Sequence, residues 1–211
     1  MRLTLADGYS AVGRTFGASR DAAGEVVFNT GHSGYVETLT DPSYRGQILV
    51  LTCPLQGNYG VPIGPYESAR IQVQGLVVGR YASEQSHHAA VSSLGEWLRA
   101  AGVPAIDRVD TRTLTRHLRE HGTMHGGLIG DRDEREHVST TADAVDMATV
   151  AELVAPREIV RVPGGSPHIL LIDTGAKEGI VRALSRRGTT ITRVPFPARC
   201  VAPPTPGGSA S

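Results

Sequence analysis

Charge of one sign is missing from this chain: across its 211 residues, 21 lysines and arginines balance 21 aspartates and glutamates. A global field that would draw in nucleic acid or an anionic membrane is thereby excluded, and a charged partner must be met by a local patch. Cysteine is nearly absent. Cys53 and Cys200 are the only two, too few for a four-thiolate zinc site, and in a chain without a secretion signal they argue against a disulfide framework. Both are expected as reduced thiols. Long apolar runs are missing too: nowhere do eighteen apolar residues follow one another, and the opening MRLTLADGYS alternates Leu3 and Leu5 with polar neighbours instead of building a leader's apolar stretch. The expectation is a soluble, cytoplasmic protein with no membrane segment and no nucleic-acid partner.

What is plentiful is punctuation, with 25 glycines and 13 prolines. Over residues 1 to about 80 they separate short apolar runs, the pattern of a β-rich unit. Strands are expected at Arg2 to Leu5, Glu25 to Asn29, Ile48 to Thr52 and Ile71 to Val78. The period then changes. Ser93 and Glu96 have capping-box spacing, Leu94, Trp97, Leu98 and Ala101 share a face, and Gly102 suits a left-handed stop, which predicts a helix over Ser92 to Gly102. A second helix is predicted from Asp110 as N-cap to His121, with Leu114 and Leu118 one turn apart, Gly122 as its stop, and Arg112, Arg116 and Arg119 on its other face. A β-like run at Gly127 to Ile129 precedes a charged surface stretch, Asp131 to Thr141, and a modest helix over Ala142 to Val154.

VPGGSP, residues 162–167, reads as an interdomain linker, because proline and glycine resist regular structure. It separates a first domain, 1–161, from a second segment, 168–196. In that segment a buried-type strand, His168 to Ile172, a helix, Lys177 to Arg187, with Ile180, Val181 and Leu184 inward, and a strand, Thr190 to Val194, make one βαβ unit, the opening of a parallel α/β sheet. That is fewer than about 40 residues, so the second domain reads as truncated. Residues 197–211, rich in proline, glycine, alanine and serine, are expected to be disordered.

The run GEVVFNTGHSGYVETLTDPSYRGQILVLTCPLQGNYG, Gly24 to Tyr59, resembles the signature of the carbamoyl-phosphate synthetase small subunit almost position for position. The resemblance continues through ESARIQVQG (Glu67 to Gly75), DTRTLTRHLREHG (Asp110 to Gly122) and IDTGAKEGI (Ile172 to Ile180). It implies an α/β (mixed) fold: an N-terminal swivelling β/β/α domain, followed here by the first βαβ unit of a flavodoxin-like, class I glutaminase domain. It further implies that ammonia from L-glutamine passes to a large subunit. There carboxyphosphate, made from bicarbonate and ATP, becomes carbamate, and a second ATP gives carbamoyl phosphate for arginine and pyrimidine synthesis. The ATP and Mg2+ belong to that large subunit, and no cofactor is expected in this chain.

Glutamine hydrolysis of this class needs a thiolate on a sharp turn, a histidine to activate it and a carboxylate to orient the histidine. The family writes these as G-x-C-x-G-x-Q and H-P-E, and neither run occurs in the 211 residues. No catalytic residue is therefore assigned. Cys53 stands where relatives generally have an aromatic residue and reads as a small buried hydrophobe. Ser43, in TDPSY, matches the serine that in the family helps hold glutamine; independently of that, Asp41, Pro42 and Ser43 favour a turn. Asn29, Thr30, Gly31 and Gly34 share the neighbouring strand-to-loop region, and their glycines read as serving the backbone. Asp173, Thr174 and Gly175 end a strand without a phosphate-loop motif. His87 with His88, and His117 with His121 at helical spacing, are the pairs a metal could use, but no third ligand is evident, so no metal is expected. The helix arginines read as a solvated face, with a contact to the large subunit left open.

Overall fold

The computed structural model describes residues 1–130, 145 and 149–196. They divide into two compact units, one of Met1–Val150 with Lys177–Gly179, the other of Ala151–Ala176 with the residues from Ile180 onward. In chain order the elements are β1 (Arg2–Leu5), β2 (Ser10–Val12), β3 (Arg14–Thr15), β4 (Ala22–Asn29), α1 (Tyr35–Thr40), a 3-10 turn (Pro42–Tyr44), β5 (Gln47–Gln56), β6 (Val61–Pro62), β7 (Gly75–Tyr81), β8 (Ala90–Ser92), α2 (Leu94–Ala100), β9 (Ala105–Asp107), α3 (Thr111–His121) and β10 (Met124–Ile129). They continue as α4 (Val150–Val154), β11 (Val160–Val162), β12 (Gly165–Asp173), α5 (Glu178–Ser185) and β13 (Thr189–Pro195). The fold class is mixed α/β, as the sequence led one to expect.

The first unit is organised by an eight-stranded sheet in the order β2-β1-β10-β4-β5-β7-β9-β3. Its middle is parallel, β4 with β5, β5 with β7 and β7 with β9, and its flanks are antiparallel. The continuous apolar run Ile48–Leu51 explains the parallel centre, because such strands are buried on both faces. Successive residues alternate between two cores. Leu49, Leu51, Leu76 and Val78 join α1 and α2 through Val36, Leu39, Leu94 and Leu98. Ile48, Val50 and Val77 join α3 through Leu114 and Leu118, with Leu3 and Leu5 from β1.

The helix ends are chemical as predicted. Ser93 and Glu96 form the capping box, with Glu96 N donating to Ser93 Oγ at 3.2 Å and Ser93 N to Glu96 Oε2 at 2.9 Å. Asp110 caps α3 by accepting from Thr113 N at 3.0 Å. Gly95 is held to glycine by close approach, since a Cβ there would stand 2.8 Å from the Tyr81 hydroxyl and 3.0 Å from the Phe16 carbonyl. At the far edge Arg14 grips Asp107 with two bonds, 2.9 and 2.8 Å, and Asp107 is only 1% exposed.

Several expectations are corrected. The strand expected over Ile71 to Val78 begins at Gly75; Ile71 and Val73 are buried, but in irregular chain that packs into the core beside α1. Ala101 is exposed and serves as the α2 C-cap, not as a core residue. Gly165, Ser166 and Pro167, expected in an irregular linker, begin β12, and Val162 ends β11. Proline lacks an N–H to donate, yet an edge strand tolerates it, and the ladder shifts register between Gly165 and His168.

The second unit has the expected βαβ order: β12 and β13 are parallel, joined by α5, with β11 antiparallel on the other side of β13. Asp173 closes β12 from a fully buried position, accepting from Gly175 N at 2.9 Å, Ala176 N at 2.7 Å and Arg193 Nε at 2.7 Å. His168 to Ile172 is not the buried strand the sequence suggested, because Leu170 and Ile172 are 66% and 58% exposed. On α5, Val181 faces inward as expected but Ile180 is 48% exposed. The expectations for Asp131 to Thr141 and for the tail with Cys200 lie outside the described residues, as do residues 142–144 and 146–148 of the helix expected over Ala142 to Val154, whose last five residues form α4.

Two predictions follow from this packing. Leu118→Ala, which empties a fully buried site between α3 and the sheet, is expected to cost about 2–5 kcal/mol in urea unfolding. Backbone N–H donors hold the Asp7, Glu96 and Asp110 carboxyls below their ordinary range, from Tyr9, Ser93 and Thr113 respectively. Depressed folded-state values mean that the stabilisation is present above pH of about 4 and is lost as pH falls through them. Melting temperature should therefore fall on acidification below about pH 4, and Ser93→Ala, which keeps the N–H but removes the hydroxyl that also donates to Glu96 Oε2 at 2.8 Å, should make that fall shallower.

Candidate functional site

The motif Gly24 to Tyr59 becomes a single piece of architecture, β4, a loop, α1, the 3-10 turn and β5, with the loop at the carboxyl end of β4. Asn29 ends β4 and bonds in two directions: its Oδ1 accepts from Gly31 N at 2.6 Å and its Nδ2 donates to the Tyr44 hydroxyl at 3.0 Å. This ties the strand end to the turn that carries Ser43. A shallow surface depression opens beside Asn29, lined by Ser33, Tyr35, Thr38, Leu51 and Gln56 among others.

Helix α1 begins at Gly34, whose φ of 81° is a left-handed conformation that glycine adopts freely. A glycine offers no capping side chain, and the orphan N–H groups are satisfied from a distance: the Tyr59 hydroxyl accepts from Gly34 N at 3.0 Å and Tyr35 N at 2.9 Å. The Tyr35 and Tyr59 rings stack 4.1 Å apart, and Tyr35 donates to the Gly60 carbonyl at 2.6 Å. Burial pushes both phenols above their ordinary range, so both remain donors at neutral pH. Neither Tyr35 nor Tyr59 was singled out from the sequence. A six-residue helix without a capping side chain leaves almost no periodic signal, although Val36 and Leu39 three apart before Pro42 form a faint one.

At the other end of α1, Asp41 does what aspartate before proline suggests. Its Oδ1 accepts from Ser43 N at 2.9 Å, capping the 3-10 turn, and its Oδ2 pairs with Lys177 Nζ at 2.5 Å. Lys177 belongs to the same compact unit, and its hydrogen bond to Asp41 raises its affinity for the proton. Asp41 is buried while Ser43 is exposed, so a fixed carboxylate presents an accessible serine.

The motif beginning at Glu67 closes on the same place. Thr40 Oγ1 accepts from Glu67 N at 3.0 Å, the Thr40 carbonyl accepts from Ser68 Oγ at 2.6 Å, and Gln72 N donates to the Leu39 carbonyl at 2.8 Å. Two stretches that looked separate in sequence are thus one support for the turn.

The remaining candidates are not gathered there. Cys53 is half-buried, with its thiol 3.8 Å from the Leu55 carbonyl, which corrects the buried reading. It sits where the β5 ladder shifts register between Leu51 and Leu55, so its side chain escapes the core. His87 and His88 stack on each other in an exposed loop. His117 stacks on His121, and its Nε2 is 2.5 Å from Asp7 Oδ2. Among the described residues no group of three or more histidine, cysteine, aspartate or glutamate side chains is placed to hold a metal. Arg112, Arg116 and Arg119 are exposed on α3, with Arg119 5.3 Å from the Phe28 ring centroid.

A parallel-centred mixed sheet, with the Ser43 turn between α1 and the amino end of β5, defines an α/β domain. Residues 3–128 match the family model for the carbamoyl-phosphate synthase small chain, CPSase domain, and the chain belongs to that family. It is 45% identical over 202 residues, 92% of this chain and 56% of the relative, to the carbamoyl phosphate synthase small chain of Methanopyrus kandleri. Against the small chain of Symbiobacterium thermophilum the identity is 45%, over 92% of this chain and 55% of that protein. Against the arginine-specific small chain of Saccharomyces cerevisiae it is 42%, over 92% and 50%. The chain thus spans about half the length of the curated relatives it matches.

Asp41→Ala should free the turn: amide exchange at Ser43 is expected to accelerate about fivefold or more, the equivalent of the roughly 1 kcal/mol an N-cap contributes. Ser43→Ala, at an exposed position, should leave unfolding free energy within about 0.5 kcal/mol of wild type.

Proposed function

We propose that this chain acts as the small subunit of a glutamine-dependent carbamoyl-phosphate synthetase. Its role is to pass ammonia from L-glutamine to a large subunit that makes carbamoyl phosphate from bicarbonate and ATP, with ATP and Mg2+ held by that partner. The observation that carries this reading is the exposed Ser43, pinned by buried Asp41, inside the stretch that matches the family. In the proposed role the Ser43 hydroxyl contacts glutamine, with Asn29 and Tyr44 fixing the strand end and turn around it. A fixed donor loses little freedom when the ligand arrives, which favours binding. The setting is cytoplasmic, and the product serves arginine and pyrimidine synthesis; the names of several relatives include the word arginine-specific. No helix among the described residues is long and apolar enough to cross a membrane.

The 211 residues contain no G-x-C-x-G-x-Q run, and hydrolysis of an amide through a thiolate needs the nucleophile such a run supplies. The 211-residue chain alone is accordingly proposed to be inactive as a glutaminase. The same observation favours a second reading, a non-catalytic module that binds the large subunit while that subunit uses free ammonia.

Two assays on the purified chain test these readings. Glutamine turnover is expected to be absent; clear turnover abolished by Cys53→Ala would assign that thiol a catalytic role and overturn the structural reading. Co-purification with a cognate large subunit is expected at micromolar concentration, and its failure removes both the subunit and the module readings.

A further inference from the structure

The turn between β1 and β2 contains the one aspartate–glycine pair of the 211 residues, Asp7–Gly8, and asparagine–glycine does not occur. The pair carries a chemistry of its own. A backbone N–H that follows an aspartate can attack that residue's side-chain carboxyl carbon, and glycine permits this most readily, having no side chain to obstruct the approach or restrict the backbone. At Gly8 even an added Cβ would meet nothing within 4 Å. The reaction is internal to the turn and needs nothing from outside the chain but water.

The turn restrains both reactants. Gly8 N, the nucleophile, donates to the Leu5 carbonyl at 3.1 Å, while Leu5 N and Ala6 N donate to the carbonyls of Tyr9 and His125, each at 2.8 Å. The Asp7 carboxyl, the electrophile, is held on both oxygens: Oδ1 accepts from Tyr9 N at 3.0 Å, and Oδ2 lies 2.5 Å from His117 Nε2. An ionised carboxylate only accepts, so Nε2 is the donor. The His117 ring stacks on both Tyr9 and His121, with centroids 4.7 and 4.4 Å away. The Tyr9 N–H, joined by His117, holds the Asp7 carboxyl below its ordinary range. At neutral pH it is therefore a carboxylate, the form least open to a nucleophile. Ring closure has to turn it away from both partners and toward Gly8 N.

We propose that Asp7–Gly8 is a site of isoaspartate formation whose rate is set by the contacts of Asp7 with Tyr9 N and His117. In the first step a bond forms between Gly8 N and Asp7 Cγ and one Cγ–O bond breaks. The departing oxygen leaves as water with the amide proton and a proton from solvent, and a five-membered imide remains. In the second step water adds to the main-chain carbonyl carbon of Asp7, and the bond from that carbon to Gly8 N breaks. The chain then runs through Cβ and Cγ, and the former main-chain carbon becomes the free carboxylate. Opening at Cγ instead regenerates aspartate. No oxidant, reductant or cofactor takes part. The product lengthens by one atom the turn that follows Leu5, a residue of the core shared with α3, and takes the side-chain carboxylate away from His117.

Incubating the full chain for weeks at physiological temperature and neutral pH, with isoaspartate at residue 7 followed by peptide mapping, tests the proposal. A synthetic peptide of residues 3–12, LTLADGYSAV, lacks the contacts with His117 and should convert at least about tenfold faster than the folded chain. His117→Ala should speed conversion in the folded chain about threefold or more. His117→Gln, whose amide can still donate to Asp7, should stay closer to the wild-type rate than His117→Ala does. Circular dichroism should report the same folded content for both variants, and the peptide comparison holds whether or not they fold. A folded chain that converts as fast as the peptide, a peptide that does not convert, or a folded His117→Ala variant that keeps the wild-type rate would each overturn the proposal.

Discussion

Strand β5 is the constraint on which the first unit depends. Ile48, Leu49 and Val50 are fully buried and Leu51 nearly so, and they point alternately into two different cores. A strand buried on both faces, with hydrogen-bonded neighbours on both sides, has no exposed surface to yield. Its two parallel neighbours, β4 and β7, repeat the alternation less completely. A polar residue anywhere in Ile48–Leu51 would face a desolvated environment whichever way it pointed.

This rigidity is what makes the turn at Ser43 specific. Asn29 is fixed because β4 is paired with β5, Tyr44 is fixed because Asn29 holds its hydroxyl, and Ser43 is fixed between them because Asp41 accepts its N–H. Tyr59, just past the end of β5, reaches back to start α1. The serine therefore stands on a closed circuit that begins and ends on the central strands, so its position is set by the scaffold. Polar groups do the local fastening, and apolar burial supplies the frame they fasten to.

Legibility in the sequence followed the physics of each signal. The helices α2 and α3 were readable end to end because Ser93, Glu96, Asp110 and the Leu114–Leu118 pair act locally, within one or two turns. The turn at Pro42 was readable for the same reason. Helix α1 was not, since its N-terminal partner is the hydroxyl of Tyr59, 25 residues from Gly34. Strand β9 was missed because three residues, Ala105–Asp107, show no period, and its anchoring to Arg14 spans 93 positions. The strip His168 to Ile172 misled because apolar composition promises burial only where something covers it. For Ser43, the residue came from the resemblance, but its fixing by Asn29, Tyr44 and Asp41 could be seen only once distant stretches were brought together.

The central claim is that the doubly buried layer around β5 sets the stability of the first unit and carries the site. Native-state amide exchange on the dilute chain tests it most directly. The amides of Ile48 to Leu51 and of Leu76 to Val78 should exchange slowest, sharing one free energy equal to that of global unfolding, while the amides of His168 to Ile172 exchange far faster. Equal protection of the two sets, or exchange at β5 by local opening, would contradict the account.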